Sequence, residues 1–203
     1  MPLDLEQLRA RLPGRTVIWF ESIPSTMPEA ARLASEGAPA GTVLVAEEQT
    51  AGQGRLGRSW YSEKESGLYV SFVLRPAAPE GALQLVTVAA GLAAQEAVER
   101  VSGVRCRIKW PNDLLADGKK CGGILCQTAE EAVIAGIGIN VNHAGFPPEL
   151  AGTATSLRLL TGRITAREDL LVELAERMDH YCGILEGDGG EAVLRLFAER
   201  AGK

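Results

Sequence analysis

The stretch AGQGRLGRSWYSEKESGLYVSFVLRP, residues 51–76, carries two nucleotide-binding patterns in a setting that suits neither. Gly52, Gly54 and Gly57 spell the G-x-G-x-x-G of dinucleotide loops, and Gly52 to Ser59 reads as a P-loop with Arg58 where lysine belongs. Both patterns need a strand, then the glycines, then a helix whose N-terminus receives the phosphate. GTVLVAEEQT, residues 41–50, supplies a strand. WYSEKESGLYV has no helical period and leads into a second strand, where Leu68, Val70, Phe72 and Leu74 alternate with Tyr69, Ser71 and Val73 until Pro76 and Pro79 stop it. No acid that could hold a ribose follows until Glu80. A glycine loop between two strands excludes the doubly wound nucleotide fold. Its chemistry remains: glycines leave backbone N–H groups approachable, and Arg55 and Arg58 add forked cations. Such a loop suits a phosphate or carboxylate, and an ordinary solvated turn has the same composition.

Outward from this loop the chain alternates strands and helices. Leu5, Leu8 and Leu12 fall at helical spacing behind Asp4, and Pro13-Gly14 closes that helix. TVIWFES (16–22) has strand composition, and Ser25 or Thr26 caps a helix with Pro28 in its first turn and Gly37 at its end. A long apolar helix is expected over 82–100 and a strand over 104–110, broken at Pro111-Asn112-Asp113. Asp117-Gly118 turns a hairpin, and residues 132–141 read as a buried central strand. Thr165-Ala166-Arg167-Glu168 spells a capping box ahead of Leu170, Leu171, Leu174 and Met178, and a last helix is expected over 189–200. About six strands followed by helices predict one α+β domain over residues 1–203, with helices packed on one side of the sheet.

Composition narrows the function classes. A formal charge of −5 argues against nonspecific binding to DNA or an acidic membrane. MPLDLEQLRARL lacks the pattern of a secretory signal, and the longest apolar stretch, residues 83–98, is interrupted by Gln84, Gln95 and Glu96. Cys106, Cys121, Cys126 and Cys182 form no C-x-x-C pair, and His143 and His180 stand alone. That spacing points away from zinc and toward free thiols in a cytoplasmic protein.

Further clusters carry chemistry. In IKWPNDLL (108–115), Pro111 fixes the exit of a strand, so Lys109, Asn112 and Asp113 take defined places. Asn112 and Asp113 suit a nucleotide or a magnesium ion, or simply form a polar turn. KKCGGIL (119–125) and GIGINVN (136–142) place glycines inside strands, which marks close approach by a ligand or tight packing.

Together these stretches resemble the biotin protein ligase family. Its signatures are similar to Gly52 to Trp60 (G-[RKHQ]-G-R-x-G-R-x-W), Lys109 to Leu114 (K-W-P-N-D-[LV]), Lys120 to Leu125 (K-x-x-G-[IV]-L) and Gly136 to Asn140 (G-[IA]-G-[IL]-N), in that order. The resemblance covers roughly residues 15–200. It implies a mixed, mostly antiparallel sheet of the class II synthetase type. It implies that biotin and MgATP form biotinyl-5′-AMP, from which biotin passes to a lysine of a biotin carboxyl carrier protein. By that resemblance Ser25, Thr26, Gln49, Gly52, Gln53 and Gly123 contact biotin. Gln53, Gly54, Arg55, Arg58, Trp60, Asn112, Lys120 and Asn140 contact the nucleotide, with Lys109 and Arg55 catalytic and Trp110 offering apolar or stacking surface. Magnesium comes with ATP.

The sequence departs from the family pattern at Gln53, where relatives often carry a cation, and at Met27-Pro28, where asparagine is usual after the Ser-Thr pair. No DNA-binding domain is expected ahead of the first strand and no SH3-like barrel after the last helix. A homodimer is left open. The rivals are a lipoate or octanoyl transferase of the same fold and a module that holds biotinyl-AMP without transferring it.

Overall fold

The structure, a computed structural model, describes residues 2–77 and 82–201; Pro79 lies outside them. Helix α1 (Leu5–Arg11) starts at Asp4, whose carboxylate accepts from the Gln7 N–H at 2.9 Å. Strand β1 (Val17–Phe20) is joined through helix α2 (Thr26–Ser35) to β2 (Val43–Ala46). Strand β3 (Gly67–Leu74) precedes the long helix α3 (Ala82–Ser102). Then come β4 (Arg107–Lys109), β5 (Asp113–Ala116), β6 (Lys119–Ala129) and β7 (Ala132–Asn140). Helices α4 (Pro148–Ala151), α5 (Leu157–Thr161), α6 (Arg167–Gly187) and α7 (Gly190–Ala201) complete the described chain.

The strands form one mixed sheet in the order β1-β2-β3-β7-β6-β5-β4. The β1–β2 pair is parallel, because α2 carries the chain back to the same end of the sheet. The other neighbours are antiparallel, and the β5–β6 hairpin turns at Asp117 and Gly118 with φ of 48° and 76°.

Strand alternation sorts the side chains onto two faces. Leu68, Val70 and Phe72 of β3 join Val133, Ala135, Ile137 and Ile139 of β7 in the main core under α3 and α6. On the opposite face, Leu44, Val73 and Ile134 pack with Met27, Ala30 and Ala34 of α2. The main helical layer thus covers one side, while α2, the crossover helix, covers one end of the other. The rest of that second face is where Gly123 of β6 and Gly136 and Gly138 of β7 lie. No helix of the described residues is long and apolar enough to cross a membrane.

The expected capping box at Thr165 does not form. Asn142 claims Thr165 first, accepting from its N–H at 3.0 Å and donating to its carbonyl at 2.9 Å. The helix instead begins after Ala166, and Glu168 accepts from the Asp4 N–H at 2.9 Å. Arg167 turns inward, its guanidinium 2.7 Å from the Glu47 carboxylate and 3.1 Å from the Gly67 carbonyl, with both charged side chains buried. Glu47 also accepts from the Leu3 N–H at 2.6 Å and the Trp19 indole at 3.0 Å. One carboxylate therefore joins the N-terminal segment, β1, β2 and the start of α6.

Removing one member of a buried pair strands the other charge, a cost of roughly 3–5 kcal/mol. Arg167→Met is expected to lower unfolding free energy by about that amount in urea titrations. A loss below about 1 kcal/mol, the range of an exposed pair, would show that water reaches Glu47.

Candidate active site

The start of α2 builds the polar end of a cleft. Ser25 is the N-cap, its hydroxyl accepting from the Met27 N–H at 3.3 Å, which places Thr26 as the first helical residue. The Thr26 N–H and hydroxyl donate to the Gln49 side-chain carbonyl at 2.8 and 3.1 Å. The Gln49 amide donates to the Ser62 hydroxyl at 3.2 Å, and the Ser71 hydroxyl lies 2.8 Å from that of Thr26. Hydroxyls and an amide, each already oriented by a neighbour, form a preset surface for a ligand that both donates and accepts. Sequence reading missed Ser71; its signal was a lone serine on the otherwise apolar pattern of β3.

The glycine loop closes as a small hairpin. The Trp60 N–H donates to the Gly52 carbonyl at 2.8 Å and the Gly54 N–H to the Arg58 carbonyl at 2.7 Å, around a 3-10 turn over Arg55–Gly57. Gly52 must be glycine here, since a Cβ would lie 2.6 Å from the Trp60 carbonyl oxygen. Arg55 reaches across and donates to the Asn112 side-chain carbonyl at 3.1 Å. Asn112 is pinned in turn, its amide donating to the Ile124 carbonyl at 3.1 Å and its own carbonyl accepting from the Ile124 N–H at 2.8 Å. The Trp110–Pro111 bond before it is cis.

Trp60 lies flat against the sheet. A Cβ on Gly138 would fall 2.5 Å from its ring and one on Gly123 3.0 Å from it, so both glycines make room for the indole. Lys120 stands beside Gly123 and the ring, its ammonium 5.2 Å from the ring centroid and 2.7 Å from the Asp113 carboxylate. The indole nitrogen is buried without a hydrogen-bond partner. Gly136 plays the same part for Met27, whose sulfur lies 2.4 Å from where its Cβ would stand.

Two cavities flank this indole. The first is lined by Ser25, Thr26, Gln49, Gln53, Gly54, Arg55, Asn112, Gly123, Trp60 and Lys120, along with Met27 and Tyr69. The second is lined by Arg58, Lys109, Asn140, Trp60 and Lys120 among others. Trp60 and Lys120 are common to both. Gly52 lines neither and shapes the loop from behind. Lys109 is exposed and touches only the second cavity. Asn140 is buried and ties β6 to the 153–155 segment, donating to the Thr155 carbonyl at 3.0 Å and the Lys120 carbonyl at 3.4 Å. Trp110 lies outside both cavities, half exposed and edge-on to Phe197. Tyr69, also missed by sequence reading, donates to the Glu63 carbonyl at 2.9 Å and sits 3.3 Å from His143, whose burial pushes its pKa down to about 4. Among the described residues no group of three or more His, Cys, Asp or Glu side chains is placed to cage a metal ion.

Residues 19–143, which hold both cavities' strands and the glycine loop, match the model of the biotin/lipoate A/B protein ligase family. The chain belongs to this family. It is 43% identical over 162 residues to the bifunctional ligase/repressor BirA of Bacillus spizizenii, a match spanning 76% of this chain and 50% of that one. It is 32% identical over 190 residues to the biotin–[acetyl-CoA-carboxylase] ligase of Paracoccus denitrificans, covering 88% of this chain and 78% of the relative. The biotin protein ligase of Aquifex aeolicus in complex with biotin and ATP superposes with a TM-score of 0.82 at 34% identity, over 91% of this chain and 78% of that one. The ligase-family chain thus spans about half the length of the Bacillus relative.

In this ligase-family site the glycines of β7 should not be equivalent. Gly136→Ala meets the end of a flexible methionine, whereas Gly138→Ala meets three atoms of a rigid ring within 2.8 Å. We expect Gly138→Ala to cost about 1–3 kcal/mol, the range for overpacking, and to shift tryptophan fluorescence. Gly136→Ala should cost less, and the reverse order would remove Trp60 from the sheet face.

Proposed function

We propose that this chain activates biotin with ATP to biotinyl-5′-AMP and transfers the biotinyl group to a lysine of a biotin carboxyl carrier protein. The observation that carries this reading is one cleft with a hydroxyl-and-amide end at Ser25, Thr26 and Gln49 and a cationic end at Arg55 and Lys120. A ureido ring fits the first end, since it both donates and accepts, and a carboxylate fits the second. The family membership and the biotin and ATP bound to the Aquifex relative support the same assignment.

In the first step a carboxylate oxygen of biotin attacks the α-phosphorus of ATP, forming an acyl–O–P bond as pyrophosphate leaves. Negative charge then spreads over the phosphoryl oxygens between the cavities, where Lys120 already stands. We therefore place the central charge on Lys120, with Lys109 and Arg58 in the second cavity nearer the nucleotide's outer phosphates. Asp113, held by Lys120 at 2.7 Å, is released when an anion takes its place on the ammonium. Asp113 and Asn112 alone are too few donors for a resident magnesium site, so they fit an ion that arrives on the triphosphate. In the second step the neutral acceptor amine attacks the acyl carbon, the acyl–O bond breaks, and AMP leaves as the nitrogen loses its proton. The mixed anhydride hydrolyses if water enters, which gives the glycine loop its use as a cover. Both substrates are those of a cytoplasmic enzyme, and the reaction calls for neither DNA nor a membrane.

The test is incubation with biotin, MgATP and a carrier domain, with the carrier weighed by mass spectrometry. A gain of one biotinyl group is expected; gain only with lipoate or octanoate would overturn the assignment. Lys120→Ala is expected to slow pyrophosphate release by about 10²–10³-fold, as for loss of one preorganised donor, with a smaller loss for Lys109→Ala. The opposite ranking would return the central role to Lys109. Arg55→Ala should let biotinyl-AMP escape into solution, and equal retention would count against a covering loop.

A further inference from the structure

Two large apolar side chains stand in water next in the chain to residues that line the first cavity. Leu56, beside Arg55 in the glycine loop, is 87% exposed and held at a φ of 58°, a left-handed conformation that suits glycine or asparagine better than leucine. Trp110 is 56% exposed, steadied from behind by an edge-on contact with Phe197 at 5.6 Å between ring centroids. Arg55 bridges them, since it donates to Asn112, two residues beyond Trp110. Trp110 also lines a groove that has Arg55, Ile124 and Leu125 in common with the cleft.

Trp110 leaves more than half of its surface in water despite its contact with Phe197, and Leu56 adds backbone strain to its exposure. The charge around them is equally uneven. In a chain of net charge −5, Arg55, Arg58, Arg107 and Lys109 are all exposed on the loop and edge strand β4. Among the described residues no carboxylate forms a salt bridge with any of the four, and Asp113 is already held by Lys120.

This arrangement matters because of the transfer step proposed above, on which the inference rests. An acceptor lysine must enter from solvent at the Arg55–Lys120 end, and the protein that carries it must press on the surrounding rim. We propose that Leu56 and Trp110 are the two apolar contacts of a docking rim for the acceptor domain, and that the acceptor's face around its lysine is acidic. Exposed apolar anchors that share their loop and edge strand with cations free of salt bridges match such a face in both respects. Small nucleophiles have no surface to dock and bypass the rim.

The experiment compares Trp110→Ala and Leu56→Asn with the unaltered protein in three assays. Asparagine keeps the left-handed backbone while removing the apolar side chain. Pyrophosphate release from biotin and ATP without acceptor should stay within about twofold, as should capture of the adenylate by hydroxylamine as biotinyl hydroxamate. Biotinylation of a carrier domain should lose about tenfold or more in kcat/KM, chiefly through KM. For the unaltered protein, raising salt from about 0.1 to 0.5 M should raise the carrier KM several-fold without affecting hydroxamate formation. A carrier KM within about twofold of the original in both variants overturns the docking rim, as does an equal fall in hydroxamate formation. A salt-insensitive carrier KM overturns the acidic face. If the unaltered protein makes no adenylate at all, the reading of the reaction fails instead, which the first assay shows separately.

Discussion

The site exists because two glycines sit side by side in the middle of the sheet. Gly138 of β7 pairs with Gly123 of β6 on one side and with Tyr69 of β3 on the other. Gly136, two residues along, faces Ser71 and Leu125. Glycine inside a strand gives up side-chain packing and backbone entropy, so such a cluster weakens the sheet it occupies. The gain is a trough on the face that α2 leaves uncovered. Trp60 settles over Gly138 and Gly123, Met27 over Gly136, and the first cavity lies among them. The opposite face of the same strands is continuous apolar core under α3 and α6, which holds the weakened centre in place. Strand parity thus divides stability and function between the two faces of β7.

Electrostatics complete what the trough begins. Its polar end is fixed by hydrogen bonds among Thr26, Gln49, Ser62 and Ser71, so little reorganisation remains for a ligand that binds there. The cationic end is held differently. Lys120 is parked on Asp113 and Trp60, while Arg55 is parked on Asn112. Arg55 would exchange a neutral amide for a charged oxygen, and Lys120 one carboxylate for a more highly charged phosphate. On the proposed reading that difference drives binding without leaving an unpaired charge in the empty site.

The larger units were legible in the sequence because they rest on periodicity and punctuation. Alternation in β3, the Asp117-Gly118 turn, the Asp4 and Ser25 caps and the length of α3 all reappear. The exclusion of a dinucleotide fold from residues 51–76 also rested on local pattern. What failed depended on partners distant in sequence. The T-x-x-E pattern at Thr165 lost to Asn142, 23 residues away, because a side-chain amide that satisfies both backbone groups outcompetes one hydroxyl. Trp60 lines both cavities, but that its ring also rests on Gly138 and Gly123 could not be read from residues so far apart in the chain. Lys109 and Lys120 could not be ranked by spacing. Only the sheet order, which sets β4 at an edge and β6 beside the central strand, separates the lysine outside the first cavity from the lysine inside it.

The same geometry gives the glycine loop a role that its sequence alone does not convey. Its two arginines do not share a site: Arg55 lines the first cavity and Arg58 the second. They are nonetheless one mechanical unit, because the Gly54 N–H is bonded to the Arg58 carbonyl across the turn that contains Arg55. Trp60 and Lys120 form the wall between the two cavities. Gln53 fits this division. It adds no charge to the first cavity, so the loop brings one cation to each side of the wall and any preference between the cavities falls to Lys120.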